Sequence, residues 1–368
     1  MRVAVLHNAD AGLARGTPAD GMAVRAATEM AAAVARACER NAWDVVTVAA
    51  PPDPAALASA ITAAQADVVF NLVEALQGDA RLESAVAGLL ELIGIPFTGS
   101  GSIACALALD KPLARAVLQG TGVAVPAGCE MSRGDEPMEG LHPPFIVKPS
   151  REDASHGVSR DSIAASARAA RERARWVIDT YGQPALVEEF VDGREFNVAI
   201  LGAGETAEVL PLAEIDYSAL PPGHPRLLTY EAKWDESSPV YRQTPPVPAR
   251  DLDAAIRGRI ESSALASYRA LHLRDYGRVD LRLHAARGPL VLEVNANPDL
   301  SPGAGLAHAA ARGGLPYDAL IARIVRSALA RADAPAPAAT IGPRRTAPDP
   351  RRHGRVFRGR DRRGTGTG

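Results

Sequence analysis

A chain of 368 residues, 47% of them hydrophobic and with a net charge of −2, is long enough for two or three domains around a sizeable core. It has no overall basic balance to favour nucleic acid as a partner. Its three cysteines, Cys38, Cys105 and Cys129, stand too far apart for a metal or disulfide pattern, which fits a reducing cytoplasm, and no apolar run is long enough to span a membrane.

The first hundred residues alternate strand and helix. "RVAVLHN" reads as a strand rather than a leader segment, and Asp20 to Asn41 as an Ala-rich helix. "WDVVTVAA" follows as strand, Pro54 to Gln65 as helix, "ADVVFNLVE" as strand, Leu82 to Ile93 as helix and "PFTGSG" as a short strand or turn. This rhythm predicts an α/β domain, a parallel sheet with helices on both faces. Asn8, Asn71 and Glu74 then fall in loops after parallel strands, where ligands commonly bind and where polar side chains also serve simply as caps. A helix from Ala106 to Gln119, the strand "PPFIVKPS", a polar turn, a helix around Ser162 to Tyr181 and the strand "ALVEEFV" form a second block. The third block opens with "EFNVAILG" and crosses an irregular stretch from Pro221 to Pro248. It then runs through a long helix (Asp251 to Leu271), a hairpin and a last helix (Tyr317 to Arg331). From Ala332 onward Pro, Ala, Gly and Arg dominate without apolar periodicity, which predicts an unstructured, solvated tail.

The hairpin "GRVDLRLHAARGPLVLEVNANPDLSP" carries the densest chemistry. Period-two alternation puts Arg278, Asp280 and Arg282 on one face and Val279, Leu281 and Leu283 on the other. On the second strand Glu293 and Asn295 share a face, with Leu292 and Val294 opposite. Paired across Ala285 to Gly288, two carboxylates and an amide crowd together as a hard cation such as Mg²⁺ requires, with Arg278 beside them to hold a phosphate or oxyanion. A solvated face with ordinary cross-strand pairs would use the same residues. In "FIVKPSREDASHGVSR", Lys148 ends a strand before a loop that could fold over a phosphate, although the order of a P-loop is absent. Lys111, at the start of a helix, is a second phosphate candidate. "ALVEEFVDGREFNVAIL" is a strand, a turn and a strand whose exposed backbone could pair with an adenine edge, with Glu195 placed to accept from ribose hydroxyls.

In that order these segments resemble the ATP-grasp superfamily, and more closely its D-alanine–D-alanine ligase branch. The likeness spans about Arg2 to Arg331 and includes "ELIGIPFTGSGSIACALALDK", "FIVKPSRE", "LVEEFVDGREFNVAIL", "YEAKW", "GRVDLRL" and "LEVNANPDLSP". It implies an N-terminal α/β domain over residues 1–105 and a two-lobed ATP-grasp part. The central lobe would span 106–190, the C-terminal lobe with the metal hairpin 191–331, and the tail 332–368. Residue by residue it implies Lys111 and Lys148 on phosphates, Glu188, Glu189, Phe190 and Val191 on the adenine side, and Glu195 on ribose. Lys233 would reach the terminal phosphate and Arg278 the tetrahedral intermediate, while Asp280, Glu293 and Asn295 would bind Mg²⁺ or Mn²⁺, Glu293 bridging two ions. The implied reaction is ATP-dependent ligation of a carboxylate to an amine through an acyl phosphate, by a cytoplasmic enzyme, a homodimer in this family, acting on amino acids or small peptides. The Pro221 to Pro248 stretch is the candidate closing loop.

The substrate side departs from that pattern. The family's linked Glu, Ser and Tyr correspond here to Ala23, Ala154 and Trp234, and Trp has only a donor N–H. "FNLVEALQGD" replaces the expected His-Gly pair, with Glu74 as the available acid, Asp299 stands where the family has Gly, and Ala304 lies near an expected Ser. Together these predict a changed substrate, with Glu74 or Asp299 on an amine and Arg151 or His156 on a carboxylate. A D-alanine ligase, a ligase for another amino acid or dipeptide, and an ATP-binding regulator without turnover all remain open at this level.

Overall fold

The computed structural model describes residues 1–8, 14–17 and 21–332, with the helix but not the side chains over 21–26. The tail expected from Ala332 onward lies outside the described residues except for Ala332 itself. The strands β1 (Arg2–Asn8), β2 (Asp44–Ala50) and β3 (Val68–Leu72) form a parallel sheet in the order β2-β1-β3, and Phe97 adds a single parallel bridge to Val69. β3 is buried along its whole length, as a strand covered on both faces must be. The helices α1 (Gly21–Arg40), α2 (Pro54–Ala63) and α3 (Glu83–Ile93) provide the crossovers, α2 capped by Asp53 and α3 ended by left-handed Gly94.

The helix expected from Ala106 to Gln119 is two helices, α4 (Ser102–Leu109) and α5 (Lys111–Gly120), and the expected border between residues 105 and 106 falls inside α4. Pro112 has no N–H to give Ala108, and the Asp110 carboxylate instead accepts from Leu113 N at 3.0 Å and starts a new helix. Lys111 is thereby fixed as the first residue of α5.

β4 (Gly128–Met131), β5 (Phe145–Pro149), β6 (Ile163–Ala164) and β7 (Ala185–Glu189) form an antiparallel sheet in the order β4-β7-β5-β6, backed by α6 (Ala167–Tyr181). α6 starts at Ala167, after the Ser166 cap, rather than at Ser162. A six-stranded sheet follows in the order β11-β10-β8-β12-β13, with β9 beside β8. It comprises β8 (Arg194–Leu201), β9 (Glu208–Val209), β10 (Ala213–Ile215), β11 (Pro246–Pro248), β12 (Tyr276–His284) and β13 (Gly288–Asn295). The Pro221 to Pro248 stretch contains two short helices, α7 (Tyr230–Trp234) and α8 (Pro239–Arg242), besides β11. The long helix α9 (Ala254–Ala270), then α10 (Gly305–Arg312) and α11 (Tyr317–Ala332) complete the described chain. α10 has no counterpart in the sequence reading.

The six-stranded sheet is two-faced. Phe196, Val198 and Ile200 of β8 and Val279 and Leu281 of β12 are inaccessible to solvent and pack in one core with Tyr268 of α9. Each such side chain contributes about 1.5–3 kcal/mol through burial. The intervening residues, Glu195 and Asn197 on β8 and Arg278, Asp280 and Arg282 on β12, face the other way, toward a cavity.

Candidate active site

Register assembles this polar face. Asn197 on β8 lies opposite Asp280 on β12, which lies opposite Glu293 on β13; Arg278 pairs with Asn295, and Arg282 with Glu195. The second strand does not keep strict alternation. A bulge beside Asp280 shifts the register so that Leu281 faces Val291, and both Leu292 and Glu293 line the cavity while Val294 is buried in the core. The expectation that Leu292 and Val294 share a face is corrected accordingly: a bulge puts two successive residues opposite one partner.

The first cavity lies between this face and the β5–β7 sheet. Lys111, Lys148, Glu188, Glu189, Phe190, Val191, Glu195, Lys233, Arg278, Asp280 and Glu293 all line it, with Ile146, Leu227 and Leu292 as apolar neighbours. Lys148 Nζ lies 2.8 Å from Glu188 Oε2, and the same carboxylate takes the Arg115 guanidinium. Lys111 Nζ lies 2.8 Å from Glu293 Oε1. Burial works to raise the Glu293 carboxyl, but Lys111, Lys148 and Arg278 outweigh it and hold it at about 2. Asp280 accepts two bonds from Arg278, at 2.7 and 2.8 Å, one from Asn197 at 2.8 Å and one from Asn295 Nδ2 at 3.1 Å. Among the described residues no three His, Cys, Asp or Glu side chains form a metal-ready group.

At the far end, Glu195 accepts from Arg282 and Tyr217 through Oε2, at 2.7 to 3.0 Å, and its Oε1 has no hydrogen-bond partner among the described residues. Arg282 also donates to Val191 O at 2.7 Å and lies over the Phe190 ring. In the connector after β7, the amides of Glu189 and Phe190 are taken by Ala127 O and Pro144 O, both at 2.8 Å. The Val191 N–H, which lines the cavity, has no hydrogen-bond partner among the described residues. Gly193 closes this turn at φ +148°, and a Cβ there would stand 2.2 Å from Leu283 O. Gly193→Ala is expected to displace the connector and weaken nucleotide binding at least tenfold, measured by titration with a fluorescent nucleotide.

A second cavity adjoins the first, sharing Glu152, His156, Lys233 and Arg278 with it. Asn295, Glu74 and Asp299 line this second space, with Asn8, Glu83 and Asp153. The loop between the cavities holds Ala154 and Ser155 at φ +56° and +62°, a costly conformation for non-glycine residues. Trp234 Nε1 donates to Ala154 O at 2.8 Å. The indole therefore ties α7 to the loop through the backbone, by a route open to a residue with only a donor. Trp234→Phe should leave the fold intact and raise the KM for nucleotide about fivefold, the worth of one such bond. Burial and the Arg278 charge lower the Lys233 ammonium. Arg151 lines neither cavity: it is held by Asp110 at 2.7 Å and Glu130 at 3.3 Å, which removes it as a candidate for a substrate carboxylate. Asn197, Arg115 and Tyr217 were not singled out from sequence; a polar residue alternating with apolar ones on a central strand was the available signal for Asn197.

An antiparallel hairpin face set against a second antiparallel sheet, with lysines from both sides of the cleft between them, defines an ATP-grasp ligase. Residues 129–326 match the family model described as "D-ala D-ala ligase C-terminus". The D-alanine–D-alanine ligase of Caulobacter vibrioides is 34% identical over 305 residues, 82% of this chain and 88% of that protein. An uncharacterized protein of Sinorhizobium fredii, y4sG, is 36% identical over 271 residues, 74% of this chain and 75% of its own. The crystal structure of D-alanine–D-alanine ligase from Bacillus anthracis complexed with ATP superposes with a TM-score of 0.69 at 21% identity, covering 90% of this chain and 98% of that one. The chain belongs to the D-alanine–D-alanine ligase family. Among the described residues no helix is long and apolar enough to cross a membrane.

Proposed function

We propose that the first cavity takes ATP and the second an amino-acid or peptide substrate, and that the chain joins a carboxylate to an amine through an acyl phosphate with release of ADP. The observation that carries this reading is the shared wall: Lys233 and Arg278 border both cavities, so a phosphoryl group in one can meet a carboxylate in the other. In this reading the base lies among Ile146, Phe190 and Leu292 with its edge on Val191 N–H, the ribose meets Glu195 Oε1, and the phosphates meet Lys111 and Lys148. Asp280, Glu293 and Asn295 fit one or two Mg²⁺ or Mn²⁺ ions, being oxygen donors on a single face that Lys111 and Arg278 now neutralise. A bound divalent ion supplies charge neutralisation at the phosphates. Arg278 and Lys233 would stabilise charge on the transferring group, and the segment around Leu227 and Lys233 would exclude water from the acyl phosphate.

Three free thiols support a cytoplasmic setting. Exposed Leu92 on α3 and Ile103 on α4 offer an apolar surface for a homodimer. The test is phosphate release from ATP and Mg²⁺ across D- and L-amino acids, singly and in pairs, with mass spectrometry of the products. Amino-acid-dependent release with a new amide product is the expected result. ATP binding without release under any pair would turn the reading to a non-catalytic binder.

A further inference from the structure

The second cavity holds more hydrogen-bond acceptors than an alanine-sized substrate can use. Five carboxylates line it: Glu74, Glu83, Glu152, Asp153 and Asp299. Three are occupied. Glu83 accepts from Asn297 Nδ2 at 2.7 Å, Glu152 accepts from Gln183 at 2.8 Å and faces His156 Nδ1 at 3.6 Å, and Asp153 lies 3.6 Å from Lys111 Nζ. Glu74 has no hydrogen-bond or ion-pair partner among the described residues. Among the described residues Asp299 is engaged only through Oδ1, by Ser301 N of its own turn at 2.7 Å. A separate observation points the same way. Asn8, 5% exposed at the end of β1, lines this cavity, and its Oδ1 is buried without a partner among the described residues. A buried acceptor left unmatched costs about 1–3 kcal/mol unless a ligand supplies the donor.

On the other side of the balance, Arg278 is tied to Asp280, and Lys233 remains as the cation facing this space without a carboxylate within ion-pair distance among the described residues. A neutral amino acid brings one ammonium and one carboxylate. The carboxylate suits Lys233 and Arg278, and the ammonium satisfies one of Glu74 and Asp299. The other carboxyl then faces the cavity with no cation beside it, and Asn8 Oδ1 lacks a donor among the described residues. We propose, resting on the ligase reading above, that the substrate of the second cavity is a diamino acid, whose α-ammonium and side-chain ammonium are divided between Glu74 and Asp299, with Asn8 Oδ1 accepting from one of them.

The test uses the full chain at pH 7.5. D- and L-diaminobutyrate, ornithine and lysine are compared with aminobutyrate, norvaline and norleucine of matched length, in phosphate release with ATP and Mg²⁺, each alone and paired with alanine. The same compounds are titrated calorimetrically in the presence of β,γ-methylene-ATP. The diamino compounds should bind and turn over at least tenfold better than their neutral isosteres. Asp299→Asn should cut that ratio to below threefold, and Glu74→Gln is the second variant should the first not fold. Equal or better use of the neutral isosteres, or of alanine, overturns the proposal while leaving the ligase reading intact. If no compound releases phosphate, the ligase reading fails and the titration decides the site: a tenfold preference lost in the variant upholds it, and a ratio near one overturns it.

Discussion

Replacing Glu188 with Gln is expected to destabilise the protein by about 3–5 kcal/mol, the cost of removing one partner from a buried ion pair. Glu188 is 1% exposed and lies between Arg115 and Lys148, which are 8% and 9% exposed. Both cations point at its two oxygens. Gln fills the same space but leaves two positive charges buried with no carboxylate between them. Arg115 keeps its bond to Pro126 O at 2.8 Å, whereas Lys148 loses its sole ion pair among the described residues. The adjacent Glu189→Gln is the control. Its partner Arg287 is 41% exposed by side chain, and such a surface pair is worth under about 1 kcal/mol. Urea denaturation of both variants checks this: a large midpoint shift for Glu188 and little for Glu189. Equal shifts would mean that the buried charges are rehydrated. Since Lys148 lines the first cavity, where ATP is proposed to bind, ATP affinity should fall in the first variant as well.

The contrast between these neighbours also shows what could be read in advance. "LVEEFV" announces a strand with two acids, and alternation says that they face opposite ways, but only the pairing of β7 with β5 and β4 shows which one is enclosed by cations. Arg278, Asp280 and Glu293 were legible because alternation on a hairpin is a local rule. Leu292 was not, because the bulge that turns it to the cavity depends on the register across strands. The break between α4 and α5 was legible in part: Asp110, Lys111, Pro112 is a helix-start signature inside an otherwise continuous apolar pattern. α10 carries no such mark, since Ala304 at its start has no side-chain cap. The proposed roles of Lys111, Lys148, Lys233 and Glu195 come from order along the chain together with resemblance. The Val191 amide as the open donor in the connector is a matter of backbone bonding, to which side-chain identity is blind.

Glu74→Gln is expected to stabilise the free protein at alkaline pH and to do nothing in acid. Burial, the charge of Asp299 and, more weakly, that of Asp153 raise the Glu74 carboxyl to about 8, against some relief from Lys233. Below about pH 4.5 the group is protonated whether the chain is folded or not, and its titration contributes nothing. Between 4.5 and 8 the unfolded chain ionises while the folded one does not, so stability falls as pH rises, and above 8 the whole cost is present. The variant removes that cost, on the order of 2 kcal/mol for a half-buried group in a polar cavity. Thermal unfolding from pH 4 to pH 9 should therefore show the two proteins together in acid and diverging upward for the variant. Glu83, also raised to about 8, mainly by burial and in smaller part by the charges of Asp153 and Glu74, adds a slope of the same sign that is itself slightly smaller in the variant and so widens the difference. A saturating diamino acid should close the gap at pH 9 from the wild-type side, because an ammonium beside Glu74 supplies the charge that the apo cavity lacks and lowers its pKa. If the gap persists with the ligand bound, the cation is seated elsewhere and Asp299 alone holds it. If no gap exists at any pH, Glu74 is solvated well enough to ionise freely, and the electrostatic contribution assigned to it in substrate binding falls with it.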